Sequence, residues 1–221
     1  AAAVKLKDAL ETVVDAAIVQ DEAVQKLNNS LITTGQYTAD TSKDLQAFAS
    51  QLQSTSKFGD EAIIAQMAFA QSMGATAEQS KLVLSAAADM ATALDMDLNS
   101  AVRNISKSLG GYAGELGEVI PELKALSKEQ LMAGDGIDII AKKFEGFAEL
   151  QTKTFAGAMN QASMAFGDMQ EKMGKSVVES DALIFMINTA TNALVTMTTK
   201  INFDFLVKGI MMAAKGMAKF L

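Results

Sequence analysis

Residues 4 to 31 carry the pattern that most restricts the fold. Leu6, Leu10, Val13, Ala17, Gln20, Val24, Leu27 and Leu31 recur at alternating spacings of four and three, which puts them on one stripe of an α-helix, at the a and d positions of a heptad. Such a stripe needs a helical partner. Two partners fit: a second copy of the chain, across an oligomer seam, or the rest of its own domain, a reading favoured by Val14, Ile18 and Val19, which widen the apolar face. Gln20 is the stripe's polar break, and a residue of that kind sets register or strand number in coiled coils at some cost in stability.

The remainder of the chain extends the helical reading. One proline in 221 residues, no tryptophan, and a large share of Ala, Met, Leu, Gln and Lys leave mostly residues that lose little entropy in a helix. No period-2 alternation marks a strand. The expected class is all-α, with short and long helices, glycine breaks, a coiled-coil-like front helix, and a bundle completed by oligomerisation. Three regions are expected: a coiled-coil-like segment 1–57, a compact helical region 58–175, and an apolar, Met-rich region 176–221 with a basic amphipathic end. The chain opens Ala1-Ala2-Ala3 without a charged-then-apolar leader, so the expectation is a piece of a longer polypeptide.

Local signals predict the joints. Gly35 and the Thr-rich stretch 33–41 end the first helix, and Thr41 or Ser42 caps a second through Leu45, Phe48, Ala49 and Leu52. Ser54-Thr55-Ser56 breaks it. Asp60 is expected to cap a third helix that stops at Gly74, Thr76 with Gln79 and Ser127 with Gln130 form capping boxes, and Asp97 caps a run to Leu109. Later helices carry Ile137, Ile140, Phe144 and Phe147, then Phe155, Met159, Phe166, Met169 and Met173. Gly110, Gly111, Gly114 and Gly117 mark a hinge or a close backbone approach.

The chemistry open to this chain is narrow. It has no histidine and no cysteine, which removes Ser-His-Asp and Cys-His nucleophiles, thiol redox couples and the usual zinc sites. Asp95-Met96-Asp97-Leu98-Asn99 imitates the start of an EF-hand loop, but Ser100, Arg103 and Ser106 stand where that loop needs glycine, an oxygen ligand and a bidentate glutamate; helix capping explains its carboxylates. Gly174-Lys175-Ser176 looks like the tail of a phosphate-binding loop, yet Met169 occupies the place of its first glycine, and a helix break explains it better. The acidic pairs Asp21-Glu22 and Asp168 with Glu171 read as exposed helix faces, not as an acid/base couple. No catalytic residue, metal ligand or cofactor is assigned. With a net charge of −7 and a pI near 4.7, specific nucleic-acid binding is disfavoured.

The end of the chain differs. No charge lies between Asp181 and Lys200, a stretch near bilayer-spanning length but diluted by Asn188, Asn192 and threonines. Beyond it Lys208, Lys215 and Lys219 share an arc of about 40° on a helical wheel, opposite Leu206, Ile210, Ala213 and Met217, a candidate face for a membrane or a partner helix. Three lysines against Asp204 make residues 201–221 net +2, so residues 1–200 carry −9 of the total −7.

Read in order, Gly74-Ala75-Thr76-Ala77-Glu78-Gln79, Asp89-Met90-Ala91, Ser108-Leu109-Gly110-Gly111, Leu126-Ser127-Lys128-Glu129-Gln130-Leu131, Gly134-Asp135-Gly136, Lys143-Phe144-Glu145-Gly146-Phe147-Ala148, Thr154-Phe155-Ala156-Gly157 and Phe166-Gly167-Asp168-Met169-Gln170-Glu171-Lys172-Met173-Gly174 give a texture that resembles bacteriophage tail tape measure proteins. The similarity covers about residues 58 to 174, roughly half the chain. It implies a non-enzymatic, all-helical virion protein that sits as a few copies in the lumen of the tail tube or tip, as a trimer or a hexamer. It also implies a role in setting tail length, tube and tip proteins as partners, release before the DNA, and a contribution to a channel through the host envelope. At 1.5 Å per residue an unbroken helix of this length would gauge only about 330 Å, so the measuring segment is expected elsewhere. A helical pore-forming or membrane-remodelling protein is the alternative, sharing the apolar stretch and the basic end; a cytosolic helical scaffold is a third reading.

Overall fold

In the computed structural model, the backbone is described for residues 2–180 and side chains from Thr12 onward except that of residue 178. The stretch 182–199 and the face formed by Lys208, Lys215, Lys219, Leu206, Ile210 and Met217 lie outside the described residues. Within them every regular element is helical: α1 (Ala2–Thr33), α2 (Ala39–Ser54), α3 (Asp60–Ser72), α4 (Ala77–Ala93), α5 (Leu98–Leu109), the single turn α6 (Leu116–Val119), a 3-10 turn at Pro121–Ala125, α7 (Lys128–Ala133), α8 (Asp135–Phe144), α9 (Phe147–Thr152) and α10 (Phe155–Val178).

Capping motifs fix where several of these helices begin. Thr76 accepts from the Gln79 N–H while the Gln79 side chain accepts from the Thr76 N–H, and Ser127 and Gln130 repeat the arrangement. Asp97 accepts from the Ser100 N–H at 2.8 Å to open α5. Each of these satisfies backbone donors that a helix start leaves free. Gly134 closes α7 at φ 105° and opens α8 in the same residue, a left-handed conformation that side chains resist.

Two expected caps are corrected. α2 is capped by Thr38, whose hydroxyl accepts from the Thr41 N–H at 2.9 Å; Ser42 is buried instead and donates to Asn28 Oδ1 at 2.6 Å. At α3 the N-cap is Gly59, and Asp60 is the first helical residue, with its N–H donating to Gln53 Oε1. Its carboxylate oxygen Oδ2 accepts from Gln20 of α1 and Ser50 of α2.

α4 is the centre of the molecule, packed against α2, α3, α5, α8 and α9. Its Val83, Leu84, Ala87, Met90 and Ala91 are fully buried. The many alanines let neighbouring backbones come close, while Leu84 and Met90 supply apolar area, worth roughly 1.5–3 kcal/mol per large side chain. Ala23, Leu27 and Leu31 of α1 and Leu45 and Ala49 of α2 join the same apolar cluster as Ile63, Met67, Ile105 and Ile140. One core therefore runs across the boundary expected at residue 57. Of the front stripe, Leu27 and Leu31 have no exposed surface, so their partner is the chain's own body and they are not open to a second copy. Burial against α3 explains this: α1 lies against α3 and α10.

Candidate functional site

α10 packs on the body with the opposite polarity to α4. Thr154 caps it by accepting from the Gly157 N–H at 3.0 Å, and beside the half-buried Met164 and Val177 the residues that face inward are mostly polar or glycine. Asn160 Nδ2 donates to the Lys57 carbonyl at 2.9 Å, and Gln161 Nε2 donates to the carbonyls of Gln53 and Ser56 at 2.8 and 2.6 Å. About two turns later Asp168 accepts from Gln53 Nε2 at 2.8 Å. Gly174 is buried, and a Cβ there would stand 1.8 Å from the Val13 carbonyl oxygen. This corrects the expected helix break: α10 runs through Gly174 to Val178, and the glycine allows α1 and α10 to touch backbone to side. Lys175 pairs with Glu179 at 3.8 Å and Ser176 donates to the Lys172 carbonyl, so this tripeptide is an ordinary stretch of helix.

The opposite face of α10 is apolar and exposed. Phe155, Met159, Phe166, Met169 and Met173 are 84, 58, 56, 47 and 54% accessible, and with exposed Ala162 they follow one another at steps of four and three. The sequence places these residues on a late helix, and the structure turns them away from the core. Their periodicity fixes that they share a face, but hydrogen bonding of the opposite face to the α2–α3 junction turns this one to the outside. A contiguous apolar stripe free of charge is what an interaction surface looks like.

Under the inward face lies a cluster of carboxylates. One oxygen from each of Asp60, Glu61 and Glu171 lies within 4.8 Å of the other two. Asp60 is only 7% exposed; its Oδ2 accepts from Ser50 Oγ at 3.2 Å and from Gln20 Nε2 at 3.4 Å. Asp60 Oδ1 and Gln20 Oε1 are buried and have no hydrogen-bond partner among the described residues. Burial, then the charges of Glu61 and Asp168, push the Asp60 carboxyl up from its ordinary value. Glu171 is pushed up to about 7, first by burial and then by Asp60, Glu61 and Asp168, against a weaker opposing pull from Lys175. Gln20, read from the sequence as the polar break of a seam, thus bonds within its own chain.

The other sequence candidates disperse. Asp95 adopts a left-handed turn at φ 50°, Asp97 caps α5, and Asn99 donates to Gln66 Oε1, so these groups do not converge on one point. Val13 and Ala17 meet α10 at Gly174, Val24 packs on the core cluster, and the side chains of Leu6 and Leu10 lie outside the described ones. The Asp60–Glu171 cluster was not legible because its members stand 111 positions apart; the only local signal was Asp168 and Glu171 at i, i+3, which share a helix face. Comparison with protein-family models, with curated proteins and with solved structures finds no match. No described helix is long and apolar enough to cross a membrane.

Proposed function

We propose that this chain is a structural component of a bacteriophage tail, a tape measure protein, that acts by docking helices and carries out no bond-making chemistry. The observation that supports it best is the outward stripe of α10, from Phe155 to Met173, an uncharged helix face with the spacing of a coiled-coil seam. The ordered resemblance over residues 58 to 174 supports the same reading. In this role a few copies, three in the simplest bundle, pack side by side in the lumen of the tail tube through α10, with tube and tip proteins around them. The acidic body repels the DNA that follows, and on release the apolar and basic end meets the host envelope.

The reading is tested by co-expressing the protein with phage tail-tube subunits and fractionating the assembled tubes. The chain should travel with the tubes, and Phe166→Glu, which puts a charge in the middle of the stripe, should leave it in the soluble fraction. Tubes that exclude the wild-type chain, together with lysis of liposomes by the protein alone, would overturn the reading and favour a pore-forming protein.

A further inference from the structure

The carboxylates between α3 and α10 are under-compensated. Asp60 and Glu61 occupy the first turn of α3, where the helix dipole offsets part of their charge. Glu171 comes from the middle of α10 and has no such offset. The remaining groups that face it add to the imbalance: Asp168 lies on its own helix, Asp21 and Glu22 of α1 line the same groove, and α2 contributes only the uncharged Gln46. Lys175 is the one cation among the groove's described lining residues, and it also serves Glu179. A second observation is independent of charge. Asp60 is more than nine-tenths buried, and among the described residues its Oδ1 has no donor; Gln20, whose Nε2 reaches Asp60 Oδ2, has a buried Oε1 that finds none among them either. Two buried acceptor oxygens without a donor cost free energy, about 1–3 kcal/mol each, unless something positive reaches them.

We propose that Asp60, Glu61 and Glu171 form a site for a hard divalent cation, calcium or magnesium, that fastens α10 to α3. The donor set is all oxygen, three carboxylates, which suits these ions and not the softer metals that prefer imidazole or thiolate. The groove between α1 and α10 gives the ion a path from solvent, since Gln20 and Glu171 both line it. Once bound, the ion replaces repulsion between α3 and α10 with a shared ligand. The strength with which α10 holds to the body then follows divalent-ion concentration.

Calorimetric titration of the full chain with calcium chloride and, separately, magnesium chloride at pH 7.5 tests this. Saturable binding of one ion per chain is expected, with a rise in melting temperature of about 5–10 °C at a hundredfold excess over Kd. Whichever salt saturates at the lower concentration identifies the ion. Glu171→Gln should lose both responses while melting no lower than ion-free wild type, because it removes a charge from a repulsive cluster; Glu61→Gln should weaken binding at least tenfold. The proposal falls if neither salt does more than sodium chloride at matched ionic strength, if both variants keep the full response, or if only acidification stabilises the protein.

Discussion

α4 and α10 are built from similar residues and face opposite ways. α4 buries Val83, Leu84 and Met90 among five neighbouring helices, whereas α10 turns Phe155, Phe166 and Met169 to the outside and keeps Asn160, Gln161 and Asp168 for the body. The two attachments differ in kind. Apolar burial scales with area and does not depend on the ionisation of any group; hydrogen bonds of about 1 kcal/mol each, over a carboxylate cluster, are modest and respond to pH. α4 is the structural centre, and α10 is a helix held on by a contact that conditions can loosen while its outer face stays available.

The sharpest test of that difference pairs two substitutions. Leu84→Ala empties a fully buried position and is expected to cost about 3–4 kcal/mol, lowering the melting temperature by roughly 10 °C. Hydrogen exchange should rise throughout α3, α4, α5 and α8 together. Gly174→Ala drives a methyl group into the Val13 carbonyl, a backbone atom that cannot step aside, and is expected to cost about 2 kcal/mol. Its loss of protection should stay within α1 and α10, leaving α4 unchanged. Equal costs with the same exchange pattern would merge the two regions into one cooperative unit and end the contrast.

What was legible in the sequence follows the range of each interaction. Caps at Thr76, Asp97 and Ser127 close within three residues, so the sequence displays them whole. Gly174 was misread because a mid-helix glycine costs about 1 kcal/mol relative to alanine, and what offsets that cost is the contact with Val13, on a helix more than 150 residues earlier. Periodicity grouped Leu27 with Leu31 and Phe166 with Met169 correctly, but it carries no sign: the first pair points into the core and the second away from it. Direction is decided by what the other face of each helix can bond to, and that lies elsewhere in the chain. The same non-locality hid the link from Gln20 to Asp60 to Glu171.

Acidity separates the two regions next. Glu171 and Asp60 hold protons more tightly in the folded chain than in the unfolded one, so the stability they contribute is greatest below the unfolded carboxylate range and is lost as pH rises through about 7. Exposed Asp97 and Glu149 shift down instead; what they contribute is present above their ordinary values and is lost only as pH falls through their lowered ones. The windows are therefore distinct. In buffer free of divalent ions, melting curves from pH 5 to pH 8 should show a loss of about 1 kcal/mol, reduced from the nominal shift because Glu171 is partly solvated. Glu171→Gln should flatten that interval. A wild-type curve that is already flat would mean the cluster does not strain the α3–α10 contact.

The smallest effect on folding is expected where the effect on association is largest. Phe166→Ser removes a side chain that is 56% exposed and buries nothing new, so the stability of the dilute monomer should change by less than about 0.5 kcal/mol. Light scattering should then show the wild-type chain gaining mass with concentration and the variant failing to, because association through this stripe depends on desolvating its aromatic centre. The two measurements constrain one another. A loss of 2 kcal/mol or more that does not depend on concentration would mean that the chain itself covers the stripe, since an open surface residue has no partner to lose. A small, concentration-dependent loss would place the missing contact between copies, which is the arrangement that a helix bonded inward by its polar face leaves open.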